Sequence, residues 1–209
     1  MLCDHLRDRR DEWIELGAME ELRQMVLEIY DRFIGLEVSE VAVDCCITKA
    51  PCGGEKAGRN PVNRGKQGTK RSMTVDERGI PLGAVSAPAN RHDSPLLVPT
   101  LEAVSETLGV LPQGGSVHLD RGYDSDLTRA PLEDRGLSWE ISKKGKPAPF
   151  WATRRRWVVD RTSSWQNAHK KLVWCTERRG GVADFWMALS EVIIIVRRLV
   201  REGWARYSW

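Results

Sequence analysis

Three aspartates stand where an acid is costly or well placed for catalysis. Asp44 interrupts the apolar run VAVDCCI, and an ionised carboxylate in a buried strand needs something to compensate it. Asp120 follows the short apolar run SVHL, at the end of a strand where α/β sheets carry their chemistry. Asp160 lies in RRRWVVDRTSSWQNAHKKL, where helical spacing puts Arg156, Asp160, Ser164, Asn167 and Lys171 on one polar stripe. Val158, Thr162, Trp165, His169 and Leu172 fall on a more apolar one. Each acid alone also suits an ordinary role: a turn or helix cap for Asp120, an i,i+4 partner of Arg156 for Asp160. Taken together, three carboxylates from separate elements can hold two hard cations such as Mg²⁺. Such a pair activates a water or a 3′-hydroxyl and stabilises the leaving oxygen of an in-line phosphodiester displacement.

The cations are clustered as that chemistry would need. Net charge is only +3, yet residues 49–71 hold seven Lys and Arg against Glu55, and residues 143–179 hold eleven against Asp160 and Glu177. Residues 1–40 are acidic, with five basic residues against eleven acids. Clustered Lys and Arg attract phosphate, although solvated surface loops would share this pattern. The five cysteines (Cys3, Cys45, Cys46, Cys52 and Cys175) form no CxxC pair, and the histidines show no ligand spacing, which argues against zinc. With no secretory signal ahead of them, they fit a reducing, cytoplasmic setting. No membrane partner is expected: Val182 to Val196, the most apolar stretch, is too short and is broken by Asp184 and Glu191.

The elements that must position these residues follow from periodicity. Helical spacing covers residues 11–35, with Gly35 as a stop. Val38 to Ile47 reads as a buried strand, and residues 51–69, rich in Gly, Pro and Asn, as a long basic loop. Residues 70–88 read as a hairpin turning at DERGIP. A helix capped by Ser94 with Pro95 behind it runs to about Leu108. Strand 116–119, a helix from Ser125 to about Arg135 ended by Gly136, and strand 137–141 follow. Residues 143–153 read as a basic loop, and 154–172 and 181–204 as helices. With 209 residues, this order describes one mixed α/β domain.

The ordered segments VAVDCCITKAPCGGEKAGRNPVNRGKQGTKRS, GIPLGAVSAPANRHDSPLL, VHLDRGYDS and RRWVVDRTSSWQNAHKKL resemble bacterial insertion-sequence transposases with a DDE catalytic triad. The resemblance runs from about residue 5 onward and is most specific at HLDRGYDS. It implies a ribonuclease-H-like fold, a mixed β-sheet flanked by helices, with N-terminal and C-terminal helices outside it. It implies Asp44, Asp120 and Asp160 as the catalytic, metal-holding triad, with two Mg²⁺ (or Mn²⁺) ions. The partners would be double-stranded DNA, both element ends and target, and a second copy in a homodimer. Lys66, Lys70, Arg71, Arg121, Lys143, Lys144, Arg156, Lys170 and Lys171 would contact the DNA. Arg156 fits the arginine that precedes the family's last acid, Thr153 stands where the family has a tyrosine, and Asn167 stands where it has a cation.

Two departures bear on activity. Asp160 replaces the family glutamate, one methylene shorter, and a misplacement of about 1 Å can cost roughly 100-fold in rate. Family members also carry an N-terminal helical DNA-binding region. Residues 1–36 would be a remnant of it or of its linker helix, and 37–209 the catalytic domain. The competing reading is an inactive remnant that binds DNA without sequence preference. A junction resolvase of the same fold would share the metal chemistry but give cleavage without strand transfer.

Overall fold

A computed structural model describes residues 2–109, 111–142 and 150–207, with the side chains of 2–3 and 150–156 excepted. The acidic N-terminal segment forms two helices, α1 (Leu2–Glu15) and α2 (Ala18–Phe33). One continuous helix over 11–35 was expected from the periodicity. Gly17 breaks it by adopting a left-handed φ of 63°, which an L side chain rarely takes.

Then come β1 (Glu40–Lys49), the two-residue β2 (Gly58–Arg59), β3 (Gln67–Val75) and β4 (Pro81–Pro88). The chain continues through α3 (Ser94–Leu108), β5 (Ser116–Leu119), a single 3₁₀ turn (Arg121–Tyr123), α4 (Asp126–Asp134) and β6 (Ser138–Ile141). Helices α5 (Phe150–Gln166), α6 (Lys170–Val173) and α7 (Gly180–Tyr207) close it. The expected hairpin is β3–β4, with its turn at residues 76–80. The helix expected over 154–172 divides at residues 167–169, where backbone bonds tighten to i−3: Ala168 N–H donates to Trp165 and His169 N–H to Gln166. Asp93, one residue before the expected Ser94, occupies the N-cap position of α3.

The six strands form one mixed sheet in the order β2-β3-β1-β5-β6, with β4 on β3. The β1–β3 and β3–β4 pairs are antiparallel, while β1–β5 and β5–β6 are parallel. This is the helix-flanked mixed sheet that the resemblance implies.

Strand alternation divides the sheet into two faces. Val41 and Val43 of β1 and Val117 and Leu119 of β5 enter the main core, beside Leu27 and Tyr30 of α2, Leu97 and Leu101 of α3, and Val192 and Ile195 of α7. Ala42, Met73 and Val75 turn the other way and pack against Val159 of α5. Among the described residues no helix is long and apolar enough to cross a membrane.

Candidate active site

Asp44 and Asp120 are brought side by side by register. Val43 of β1 pairs with Leu119 of β5, the last pair of that parallel ladder, and each aspartate is the next residue on its strand. Both are partly buried. Asp44 shares the sheet face of Ala42 and Cys46, since side chains two apart lie on one side. One Asp44 oxygen accepts the Cys45 N–H at 2.7 Å.

Asp120 is held by the turn DRGYDS, five of whose six residues make specific contacts. Its extended backbone makes it the N-cap of the 3₁₀ turn, and its Oδ1 accepts the Gly122 N–H at 2.7 Å. A Cβ on Gly122 would lie 2.8 Å from Asp93 Oδ2 and 2.9 Å from Asp120 Oδ1, so a larger residue there would push both carboxylates from these positions. Tyr123 is fully buried, with its hydroxyl 3.2 Å from Cys45 Sγ. Asp124 pairs with Arg129. Ser125 precedes α4, and its hydroxyl donates to Ser94 Oγ, which donates to the Gly122 carbonyl. Burial first, then the charge of Asp93, pushes the Cys45 thiol up to about 12. Burial first, then Cys45, raises Tyr123 well above its ordinary value. Both are neutral near pH 7, so this pair supplies packing rather than a nucleophile.

Asp160 stands apart from the other two. Its helix crosses their sheet face: Val159 packs over Ala42, and Asn167 Nδ2 reaches Cys46 Sγ at 3.8 Å, on either side of Asp44 along β1. Asp160 itself is exposed on that helix. Among the described residues no three His, Cys, Asp or Glu side chains are grouped closely enough to hold a metal ion. The donor chemistry of Asp44 and Asp120 fits a hard divalent cation; the third carboxylate is not assembled with them.

The structure sorts the expected DNA contacts. Lys66, Arg121, Lys170 and Lys171 are exposed. Lys171 is engaged by Glu177. Lys70 and Arg71 are corrections to the expectation that they face DNA, being 6% and 3% exposed. As neighbours on β3 they turn to opposite faces, and both are covered. Lys70 Nζ donates to Asp93 and to the Arg91 carbonyl, pinning the entry to α3. Arg71 donates to Asn167 Oδ1 beneath the end of α5, while its Nε and Nη1 have no hydrogen-bond partner among the described residues. Lys143, Lys144 and the Arg156 side chain lie outside the described residues.

His118 shows no metal-ligand spacing in the sequence. It is 3% exposed and lies between two acids, Nδ1 3.0 Å from Glu140 and Nε2 3.6 Å from Glu40. The signal was alternation: His118 precedes Asp120 by two residues and so shares its face.

Comparison with known proteins decides the ancestry. Residues 41–182 match the family model of the transposase DDE domain. The chain is 33% identical over 153 residues to a transposase assigned to insertion sequence element IS402 of Burkholderia cepacia, covering 71% of this chain and 72% of that protein. The chain belongs to the DDE transposase family. A second relative, the transposase for insertion sequence element IS1106 of Neisseria meningitidis serogroup B, is 31% identical over 100 residues, 46% of this chain and 32% of that protein. Among solved structures, the Mos1 mariner paired-end complex with Mn aligns over 88% of this chain and 61% of that one, at TM-score 0.39 and 11% identity. The catalytic domain of the Mos1 mariner transposase aligns over 89% and 92%, at TM-score 0.36 and 10% identity. Membership brings with it transposase enzyme chemistry and the use of divalent metal ions. Asp44, Asp120 and Asp160 all fall within the matched DDE domain.

Proposed function

We propose that this chain is the catalytic part of an insertion-sequence transposase that cuts and joins DNA, with Asp44, Asp120 and Asp160 as its acids. One observation carries the reading: Asp44 and Asp120 occupy adjacent positions just beyond the last parallel register pair, beneath the helix that bears Asp160. Asp44 and Asp120 would hold a divalent cation, Mg²⁺ or Mn²⁺, and a second ion with Asp160 would complete a two-metal site. Ions held there supply a Lewis acid for the phosphoryl oxygens and lower the pKa of the attacking hydroxyl.

The chain's own residues set the geometry. The Gly122 N–H holds the Asp120 carboxylate in the turn after β5, and Ser94, bonded in turn by Ser125, holds the Gly122 carbonyl. The β1–β3 ladder, which continues past Asp44 to Lys49, holds the Asp44 backbone on both sides of the acid. Lys66, Arg121, Lys170 and Lys171 would meet the DNA backbone, with element ends and target DNA as substrates and a homodimer as the working assembly.

The test is incubation of the full chain with DNA bearing the terminal repeats of its own element, with Mg²⁺, Mn²⁺ or EDTA. Metal-dependent nicking and strand transfer are expected. Equal product with EDTA, or no product with either metal, would sink the reading. The exposure of Asp160 and its shorter reach favour a second reading, an inactive remnant that still binds DNA. Activity that appears only in Asp160→Glu would select it.

A further inference from the structure

Away from the three aspartates, a cleft of about 270 Å³ opens between the end of α5 and the second half of α7. Trp165, His169, Ile194, Arg197, Arg198 and Arg201 line it. Arg161 stands beside it, its guanidinium 4.9 Å from the Trp157 ring centre and 5.0 Å from that of Trp165, while Arg198 lies 5.6 Å from the same Trp165 ring. Four arginines therefore gather around the Trp165 indole.

Their charge is only partly balanced. Glu202 pairs with Arg198, which also donates to the Arg78 carbonyl. Arg201 reaches that same Glu202 oxygen only at 3.8 Å, and its side chain is 67% exposed. Arg197 is exposed and makes no hydrogen bond or ion pair among the described residues. The crowding is felt: burial, then the charge of Arg197, lowers the His169 pKa. Like charges held this close repel one another, and a polyanion relieves that repulsion.

We propose that the α5/α7 cleft is a docking site for the phosphodiester backbone of DNA, with Arg197 and Arg201 as the phosphate contacts and Trp165 as its floor. The proposal rests on reading the chain as a DNA-processing enzyme and adds a surface that the family motifs do not supply. Its position suits that role. Trp165 follows Asp160 by five residues of α5, about 7.5 Å along the helix axis, the span of about two phosphates of one strand. Trp165 and Asp160 lie on different faces of α5, so a duplex seated in the cleft would be held beside the helix that bears Asp160.

The test uses the full chain and a fluorescently labelled generic duplex in EDTA, read by anisotropy from 50 to 300 mM KCl. Against the wild type stand the double variant Arg197→Ala/Arg201→Ala, the charge-preserving Arg197→Lys/Arg201→Lys, and Arg7→Ala on α1 as a remote control. The alanine pair is expected to weaken binding at least several-fold and to reduce the salt slope by about two. The lysine pair should keep the slope, and Arg7→Ala should match the wild type. Matching thermal melts establish that the variants fold. Wild-type affinity and slope in the alanine pair would overturn the proposal, as would an equal loss in Arg7→Ala. Inorganic phosphate binding, lost in the alanine pair with DNA affinity unchanged, would overturn it too. Metal-dependent nicking is measured separately: its absence alongside a reduced slope fails the catalytic reading and leaves the cleft standing.

Discussion

On β1 and β5, Val41, Val43, Val117 and Leu119 point into the large core, whereas Ala42, Asp44, Cys46 and His118 turn toward the side crossed by α5. The two faces share one backbone and differ by single-residue steps. The apolar face is closed by four helices and holds the sheet together. The other is thinly packed, with Ala42, Met73, Val75 and Val159 as its small core, and carries the acids and the histidine. Candidate chemistry sits where burial is partial, because a carboxylate fully enclosed by apolar groups would lose its charge.

Substitutions can break this division. Leu119→Ala, on the apolar face, is expected to cost about 2–5 kcal/mol in chemical denaturation, since Leu119 is fully buried and a cavity would remain. Asp44→Asn and Asp120→Asn, one residue further along each strand, are expected to lower metal-dependent nicking by about 100-fold or more. Each should leave the denaturation midpoint close to that of the wild type. A large stability loss in either would show that the acid serves the fold.

Asp160→Glu sharpens the comparison. It restores the longer side chain on an exposed helical position, so nicking should rise by roughly 10- to 100-fold with no change in stability. An unchanged rate would separate Asp160 from the reaction.

The smallest effect concerns a buried acid outside both faces. Burial pushes Glu191 up to about 7, with Arg23 opposing, 3.5 Å away. A folded-state pKa above the unfolded value means that the native state binds the proton more tightly. The stability this contributes is full below about pH 4.5 and is lost as pH rises through about 7. Asp76, raised chiefly by burial, has the same sign. The denaturation midpoint should therefore fall between pH 5 and 8, and Glu191→Gln should flatten the decline without abolishing it. A wild-type slope in Glu191→Gln would show that Glu191 does not titrate there.

What was legible in the residues was what depends on near neighbours. The β3–β4 hairpin, the strand SVHL and helices α3 and α4 follow from alternation, turn residues and caps. Asp44 and Asp120 were legible because an acid inside or just after an apolar run conflicts with its surroundings. The HLDRGYDS pattern compresses a whole turn into adjacent residues, and its glycine is explained by contacts within that turn and with Asp93.

Sequence alone thus determined the family and most of the order of elements, and it singled out the three candidate acids, because backbone propensity and side-chain alternation act over a few residues. Only the tertiary structure decided where each charge resides. Lys70 and Arg71 looked like part of a DNA-binding stretch until packing placed one against Asp93 and the other beneath Asn167. Arg197 and Arg201 were legible only as part of the helix expected over 181–204 until packing brought Trp165 of α5 beside them. An ion pair or a cationic cleft depends on residues tens of positions apart meeting at a few ångströms. That distance is set by how helices and sheet pack, and no local pattern encodes it.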